Sequence, residues 1–179
     1  MSINTLDHGK SIRSATEEDF DRVMEIDRLS FSAPWIENFF KSALKDIFLV
    51  LEEEREIVGY VITCVCHDLE KAVILRIAVH PDHRGKGIAK ELIETSLLIF
   101  SKENVESVEL DVNSANRSAV KLYEKFGFEI KRIATFIADQ DFHIFYVMKL
   151  KLREPEEVKY QVPEKYYHHG AYYDLQIAG

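Results

Sequence analysis

The residues best equipped for chemistry in this sequence gather around one basic, glycine-containing turn. Arg84-Gly85-Lys86-Gly87-Ile88-Ala89-Lys90 follows the apolar run Val73-Ile74-Leu75-Arg76-Ile77-Ala78-Val79. His80-Pro81-Asp82 stops that run, because proline cannot donate to a β-ladder and aspartate favours a turn. Beyond the turn, Ile88, Leu92, Ile93, Ser96, Leu97 and Phe100 recur at helical spacing. A strand, a basic turn and a helix start aim free backbone N–H groups and the positive end of a helix dipole at one point. An anion, foremost a phosphate, suits that point. The turn is not a P-loop, since G-x-x-x-x-G-K-[ST] is absent. Nor is it a dinucleotide fingerprint, since Gly-x-Gly-x-Ala lacks the required glycine spacing.

Further along, Asn116 and Tyr123 stand two helical turns apart and share a face. A phenol with a pKa of about 10 is protonated at neutral pH and can give up a proton. The plain alternative for Tyr123 is a core aromatic of an amphipathic helix. Two carboxylates are candidate bases: Asp111 in Leu110-Asp111-Val112-Asn113 and Glu37 in Pro34-Trp35-Ile36-Glu37-Asn38-Phe39. Each also reads as an ordinary solvated or ion-paired acid. Cys64 and Cys66 fall on one face of a strand, and C-x-C is not zinc spacing. They read as small apolar residues in a reducing compartment. The adjacent His168-His169 lack ligand spacing, so no metal is expected.

The whole chain narrows the setting. Its 179 residues suit one domain with an appendage, and 46% apolar content with 11% aromatics suffices for a core. A formal charge of −8 argues against nucleic acid as a partner, since phosphate backbones need a basic face. That charge is mildly compatible with a cationic substrate such as an amine, although service to solubility is the better reading. No apolar run approaches the about 18 residues of a membrane helix, and MSINTLDHGK carries no secretory h-region. The expectation is a soluble cytoplasmic protein without a membrane partner.

The elements that must position these residues follow from patterning. Residues 1–10 are polar and read as a flexible arm. Ser11–Thr16 reads as a first strand, and Thr16-Glu17-Glu18-Asp19 as a helix cap with acids in the first turn. That helix would bury Phe20, Val23, Met24, Ile26 and Leu29. Pro34 suits the first turn of a second helix running through Phe39, Phe40 and Leu44. Strands are expected at Ile47–Leu51, Ile57–Cys66, Val73–Val79, Ser107–Val112, Phe128–Ile137 and Phe142–Leu150. Gly127 sits where a helix ends. The order βααβββαβαββ makes a mixed α/β domain over 11–151, with 152–179 as a C-terminal tail.

Arg84-x-x-Gly87-x-Ala89 after Ile77-Ala78-Val79 resembles the acetyl-CoA site of the GNAT N-acetyltransferase superfamily. So does the downstream Asn113-x-x-Asn116-x-x-Ala119-x-x-Leu122-Tyr123-x-x-x-Gly127-Phe128. With Phe31-x-x-Pro34-Trp35 near the start, the chain is most similar to RimI-type and archaeal N-terminal (N-alpha) acetyltransferases. The resemblance implies the GNAT fold and acetyl-CoA as cosubstrate. It implies a cofactor site of Ile77, Ala78, Val79, Arg84, Gly85, Lys86, Gly87, Ile88, Ala89, Lys90, Asn116 and Tyr123. Asn116 would hold the pantetheine arm, and Tyr123 would protonate the departing thiolate. The two parallel strands would splay near a bulge at Ala78-Val79, with the Val79 N–H facing the thioester carbonyl.

The same resemblance places Phe31, Trp35, Glu37 and Arg76 at the acceptor side and Glu37 or Asp111 as base. Acceptors would be protein N-termini beginning with Ser, Ala, Thr or Met, acetylated by direct attack. One departure matters. The tyrosine-rich stretch that lines the peptide site in that group is replaced here by Thr135-Phe136-Ile137-Ala138-Asp139-Gln140-Asp141-Phe142-His143. Lysine, polyamine or small-amine acetylation is therefore the alternative, and a non-catalytic acyl-CoA-binding regulator a third reading. Tyr166, Tyr167, Tyr172 and Tyr173 in the tail are candidate substitutes, or the tail packs on the surface or on a neighbouring subunit; an oligomer is open at this stage. Arg76 stands where a small polar residue is common, and reads first as an ion-pair residue with Glu37 or Asp111.

Overall fold

A computed structural model describes residues 2–6, 9–138 and 141–152. Eight strands form one sheet in the order β1-β2-β3-β4-β5-β6-β8-β7. They are β1 (Ser2–Leu6), β2 (Lys10–Ser14), β3 (Ile47–Glu53), β4 (Glu56–Cys66), β5 (Lys71–Val79), β6 (Ser107–Asn113), β7 (Glu129–Ala138) and β8 (Asp141–Lys151). Four helices flank it: α1 (Phe20–Ser30), α2 (Glu37–Ala43), α3 (Ile88–Phe100) and α4 (Arg117–Lys125). All neighbouring strands are antiparallel except β5 and β6. Parallel neighbours need a long crossover, and α3 supplies it.

The apolar residues divide between the two faces of the sheet. On one side, α3 and α4 cover a core that includes Val58, Val61, Ile74, Leu92, Phe100, Leu110 and Val112. On the other, Phe20, Val23, Ile26 and Phe40 from α1 and α2 pack on Phe48, Tyr60 and Ile62. Gly59, inside β4, permits the approach of α3. A Cβ there would lie 2.9 Å from the Ile88 Cγ2 and 3.1 Å from the Ala78 carbonyl oxygen.

Several expectations are corrected. Residues expected in a flexible arm include a strand: Ser2–Leu6 pairs with β2 and extends the sheet by one. Leu29 of α1 is exposed, and the inner position one turn after Val23 is taken by Asp27. Pro34 precedes α2 rather than opening it, since Ile36 is the extended N-cap residue. The β3–β4 turn has no glycine, yet Glu54 and Arg55 both adopt positive φ, 51° and 70°, as a tight hairpin turn requires. The tail from residue 153 on, with its tyrosines, and the turn residues Asp139 and Gln140 lie outside the described residues.

Candidate active site

The site begins with one irregularity in β5. In the β4–β5 ladder, Ile62 pairs with Arg76 while Thr63 pairs with Ile74, which leaves Leu75 as an extra residue. This is a β-bulge. The sequence argument expected it at Ala78-Val79, four residues closer to the turn. Its consequence is a change of facing. Before the bulge, Ala72 and Ile74 enter the α3/α4 core; after it, Ile77 and Val79 do, while Ala78 joins the α1/α2 core. The bulge is also where the sheet opens. β5 and β6 pair only from Lys71–Ser107 to Ile74–Leu110, and the rest of β5 has no partner in β6.

The backbone of Val79 faces this opening. The His80 N–H donates to the Val58 carbonyl at 2.8 Å. Antiparallel alternation then turns the Val79 N–H and C=O away from β4, towards the side where β6 has parted. The Val79 carbonyl accepts from Arg84 Nε at 3.2 Å, which ties the basic turn to the strand end. Arg84 Nη2 also donates to Ser30 Oγ of α1.

On the α3/α4 side the opening leads into a cleft of about 600 Å³. Of the expected cofactor residues, Ile77, Ala78, Val79, Arg84, Gly85, Gly87, Ile88, Ala89, Lys90 and Tyr123 line it. Lys86 and Asn116 do not. The Asn116 side chain instead caps α4, accepting from the Ala119 N–H at 3.1 Å and from Ser118 Oγ at 3.0 Å. Gly87 caps α3 with φ 84°, a conformation that strains any side-chain-bearing residue.

The lining suits a long ligand with phosphates at one end. Arg84, Lys90, Lys121 and Lys125 supply cations, the start of α3 supplies N–H groups, and Ile77, Val79, Ala119 and Leu122 an apolar wall. The expected site residues did not include His83, Ser118, Ala119, Lys121, Leu122 and Lys125. For the five on α4 the signal was present, because they fall three and four residues from one another along one helical face.

Tyr123 closes the inner end of this cleft. It is 1% exposed, and its ring meets Phe128 edge-on at 5.6 Å. Burial pushes its phenol up, well above the ordinary value, so it stays protonated.

The opposite mouth of the opening faces α1 and α2. Val108, Leu110 and Val112 of β6 point into the α3/α4 core, so Asp111 points the other way. It is half-buried. Burial raises its pKa, the Arg132 charge opposes that rise, and Glu109 adds to it. Arg132 and Asp111 both stand opposite Val147, in one row across β6, β8 and β7.

Glu37 starts α2, is 51% exposed at its side chain, and is ion-paired with Lys41. Trp35 is half-buried against Phe39 and Phe40. Phe31 and Arg76, expected at the acceptor side, are both buried. Arg76 pairs with neither Glu37 nor Asp111 in a salt bridge; its carboxylate partner is Asp27. Among the described residues no cluster of three or more metal-ligating side chains occurs, and no helix is long and apolar enough to cross a membrane.

Comparison with known proteins converges on one family. The model of the acetyltransferase (GNAT) family matches residues 16–128. An N-alpha-acetyltransferase of Sulfurisphaera tokodaii is 31% identical over 143 residues, covering 72% of this chain and 86% of that protein. The solved ribosomal-protein-S18-alanine N-acetyltransferase of Escherichia coli superposes with a TM-score of 0.74 at 24% identity, covering 84% of this chain and 99% of that one. Arabidopsis thaliana NAA60, solved in complex with acetyl-CoA, gives a TM-score of 0.72 at 22% identity, covering 80% of this chain and 99% of that one.

Proposed function

The chain belongs to the acetyltransferase (GNAT) family, whose acyl donor is acetyl-CoA, and on that premise we propose that it acetylates the α-amino group of protein N-termini beginning with Ser, Ala, Thr or Met. The observation that carries this reading is the parting of β5 from β6 after Ile74–Leu110. It joins a phosphate-suited cleft on one face to an acid-bearing mouth on the other. Donor and acceptor can then meet in the sheet from opposite sides, which is the positioning a two-substrate transfer needs.

When bound, acetyl-CoA supplies an activated thioester. Gly85, Gly87 and the first residues of α3 receive its pyrophosphate, with Arg84, Lys90, Lys121 and Lys125 offsetting charge. The Val79 N–H, aimed at the opening, donates to the oxygen on which negative charge develops. Asp111 takes the proton from the incoming ammonium, directly or through one water. A raised pKa makes it a stronger base than an ordinary aspartate. A protein N-terminal amine, with a pKa of about 7.7–8.0, asks little of such a base. Tyr123, kept protonated by burial, gives its proton to the departing sulfur and is restored by the second proton that the newly acetylated nitrogen sheds. Glu37, exposed and paired with Lys41, is better suited to contact the acceptor chain than to deprotonate it. Direct attack is favoured because the cleft lining contains no cysteine and its one serine, Ser118, donates to Asn116.

The test is acetyl transfer from acetyl-CoA to short peptides with free N-termini, beside N-blocked lysine peptides and spermidine. Turnover preferring free Ser- or Ala-starting peptides is expected. Turnover of only lysine peptides or spermidine overturns the acceptor assignment, and cofactor binding without turnover of any amine returns the chain to a regulator.

A further inference from the structure

One fully buried ion pair takes no part in the chemistry above. Asp27 and Arg76 are both 0% exposed, within the apolar α1/α2 core. Asp27 collects four donors. Arg76 Nε donates to Oδ1 at 2.6 Å and Nη2 to Oδ2 at 2.9 Å. The Tyr60 hydroxyl donates to Oδ1, and the backbone N–H of Trp35 to Oδ2 at 2.7 Å. Arg76 Nη2 donates also to the Ala33 carbonyl at 3.1 Å. Its guanidinium lies 3.6 Å from the Phe31 ring centroid and 4.9 Å from that of Trp35.

Three features make this costly as mere packing. A buried ion pair is commonly replaced by apolar residues without loss of stability. Asp27 sits in the last turns of α1, where the helix dipole disfavours an acid. Arg76 reaches this face only because the Leu75 bulge reverses the facing of β5. What the pair does achieve is fastening. Residues 31–36 lie in neither helix nor strand, apart from capping positions, and form a lip that rests against Arg76 on the α1/α2 face of the sheet, the face to which Asp111 also points. The pair holds this lip by one backbone N–H, one carbonyl and two aromatic faces, and anchors it to the same strand that carries Val79.

We propose that Asp27 and Arg76 are positioning residues that fix the 31–36 lip and thereby set acceptor binding, leaving acetyl-CoA binding to the other face. This rests on the proposed approach of the acceptor from the α1/α2 face, the side on which the resemblance puts Phe31, Trp35 and Glu37. The decisive variant is the double replacement Asp27→Leu with Arg76→Met, which removes both charges and keeps volume. The expected result is a cooperatively folding chain with a lowered Tm, because the Tyr60 hydroxyl, the Trp35 N–H and the Ala33 carbonyl lose their partners. Acetyl-CoA affinity should stay within about twofold, and acceptor kcat/KM should fall by about tenfold or more, mainly through KM. The acceptor is whichever amine of the peptide, lysine and spermidine panel the wild type turns over, so a wrong acceptor class and a wrong positioning role give different results. Acceptor kinetics equal to the wild type in the folded variant overturn the proposal. Should the double variant not fold, or no amine be turned over, hydrogen exchange of the wild-type chain decides. The Trp35 amide is expected to exchange at least about 100-fold more slowly than the Ile36 amide; equal rates for the two would overturn it.

Discussion

Replacing Gly59 by alanine tests whether the fit of α3 on the sheet sets the cofactor site. The new Cβ would lie 2.9 Å from Ile88 Cγ2, 3.1 Å from the Ala78 oxygen and 3.4 Å from Leu92 Cδ1. Carbon atoms rest at about 3.5–4.0 Å, so α3 must retreat from the Ile88 end by roughly 0.6 Å or more. Overpacking of this kind costs about 1–3 kcal/mol, and the lost backbone freedom of the unfolded chain returns about 0.5–1 kcal/mol. The net is a loss of up to about 2.5 kcal/mol, or up to about 10 °C in Tm for a chain of this size. The site should suffer more than the fold. Ile88 is the first residue of α3, so its retreat carries the phosphate-facing N–H groups with it. Misaligning one charge-assisted hydrogen bond costs about 1.5–3 kcal/mol, which is about ten- to 100-fold in affinity. Calorimetric titration with acetyl-CoA beside thermal unfolding reads both quantities. Unchanged affinity with a lowered Tm would show that the helix start does not hold the cofactor. Unchanged values of both would refute the contact argument itself.

Three further outcomes follow from the site. Tyr123→Phe keeps the edge-on contact with Phe128 and should lower kcat by about 10²–10⁴ with acetyl-CoA affinity nearly intact; lost affinity instead would make Tyr123 structural. Gly87→Glu forces a side chain into φ 84° and sets a carboxylate beside the phosphates, so acetyl-CoA binding should vanish in calorimetry; tight binding retained would sink the cleft assignment. Asp111→Asn should remove the acidic limb of the pH–rate profile while holding or raising Tm at pH 7. The sign follows from burial: the raised folded-state pKa means that ionising Asp111 costs the folded chain stability as pH rises through the window above the ordinary carboxylate value of about 3.9. A wild-type pH profile in this variant, or a large drop in Tm, would mean that Asp111 is an ordinary structural acid.

Much of this was legible in the chain, and what was not has a common cause. Helix α3 and the turn before it declare themselves through apolar periodicity and the Arg84–Ala89 pattern, because both are local. Tyr123 was assigned to the cofactor site through the resemblance and lines the cleft, whereas Asn116, given both a cofactor role and a place at the helix start, keeps only the second, its side chain accepting from the Ala119 N–H within its own turn. The partner of Arg76 was out of reach. Asp27 lies 49 residues away, and nothing local distinguishes it from the solvated acids around it except its place one turn after Val23. The strand at Ser2–Leu6 was missed because Ser2-Ile3-Asn4-Thr5-Leu6 does not alternate with period two, and its pairing with β2 leaves no local mark in the sequence.

The bulge was misplaced for the same reason, and it is the event on which the rest turns. A bulge has no composition of its own here: Leu75 is one apolar residue among seven. Its position is set by where β4 and β6 compete for β5. Up to Ile74 both neighbours pair with it; Leu75 pairs with neither, and from Arg76 only β4 does. With period-two alternation, one inserted residue exchanges the faces of everything downstream. Without it Ile77 and Val79 would leave the cleft wall and Arg76 would point at the cofactor's side, an unpaired cation among apolar groups. With it, the strand gives its backbone to the opening, the apolar side chains of Ile77 and Val79 to the cleft and the charge of Arg76 to Asp27. The parted sheet and the anchored lip are therefore two consequences of a single register shift. For this reason, Arg76 belongs to the same functional unit as Val79 although the two side chains lie on opposite faces.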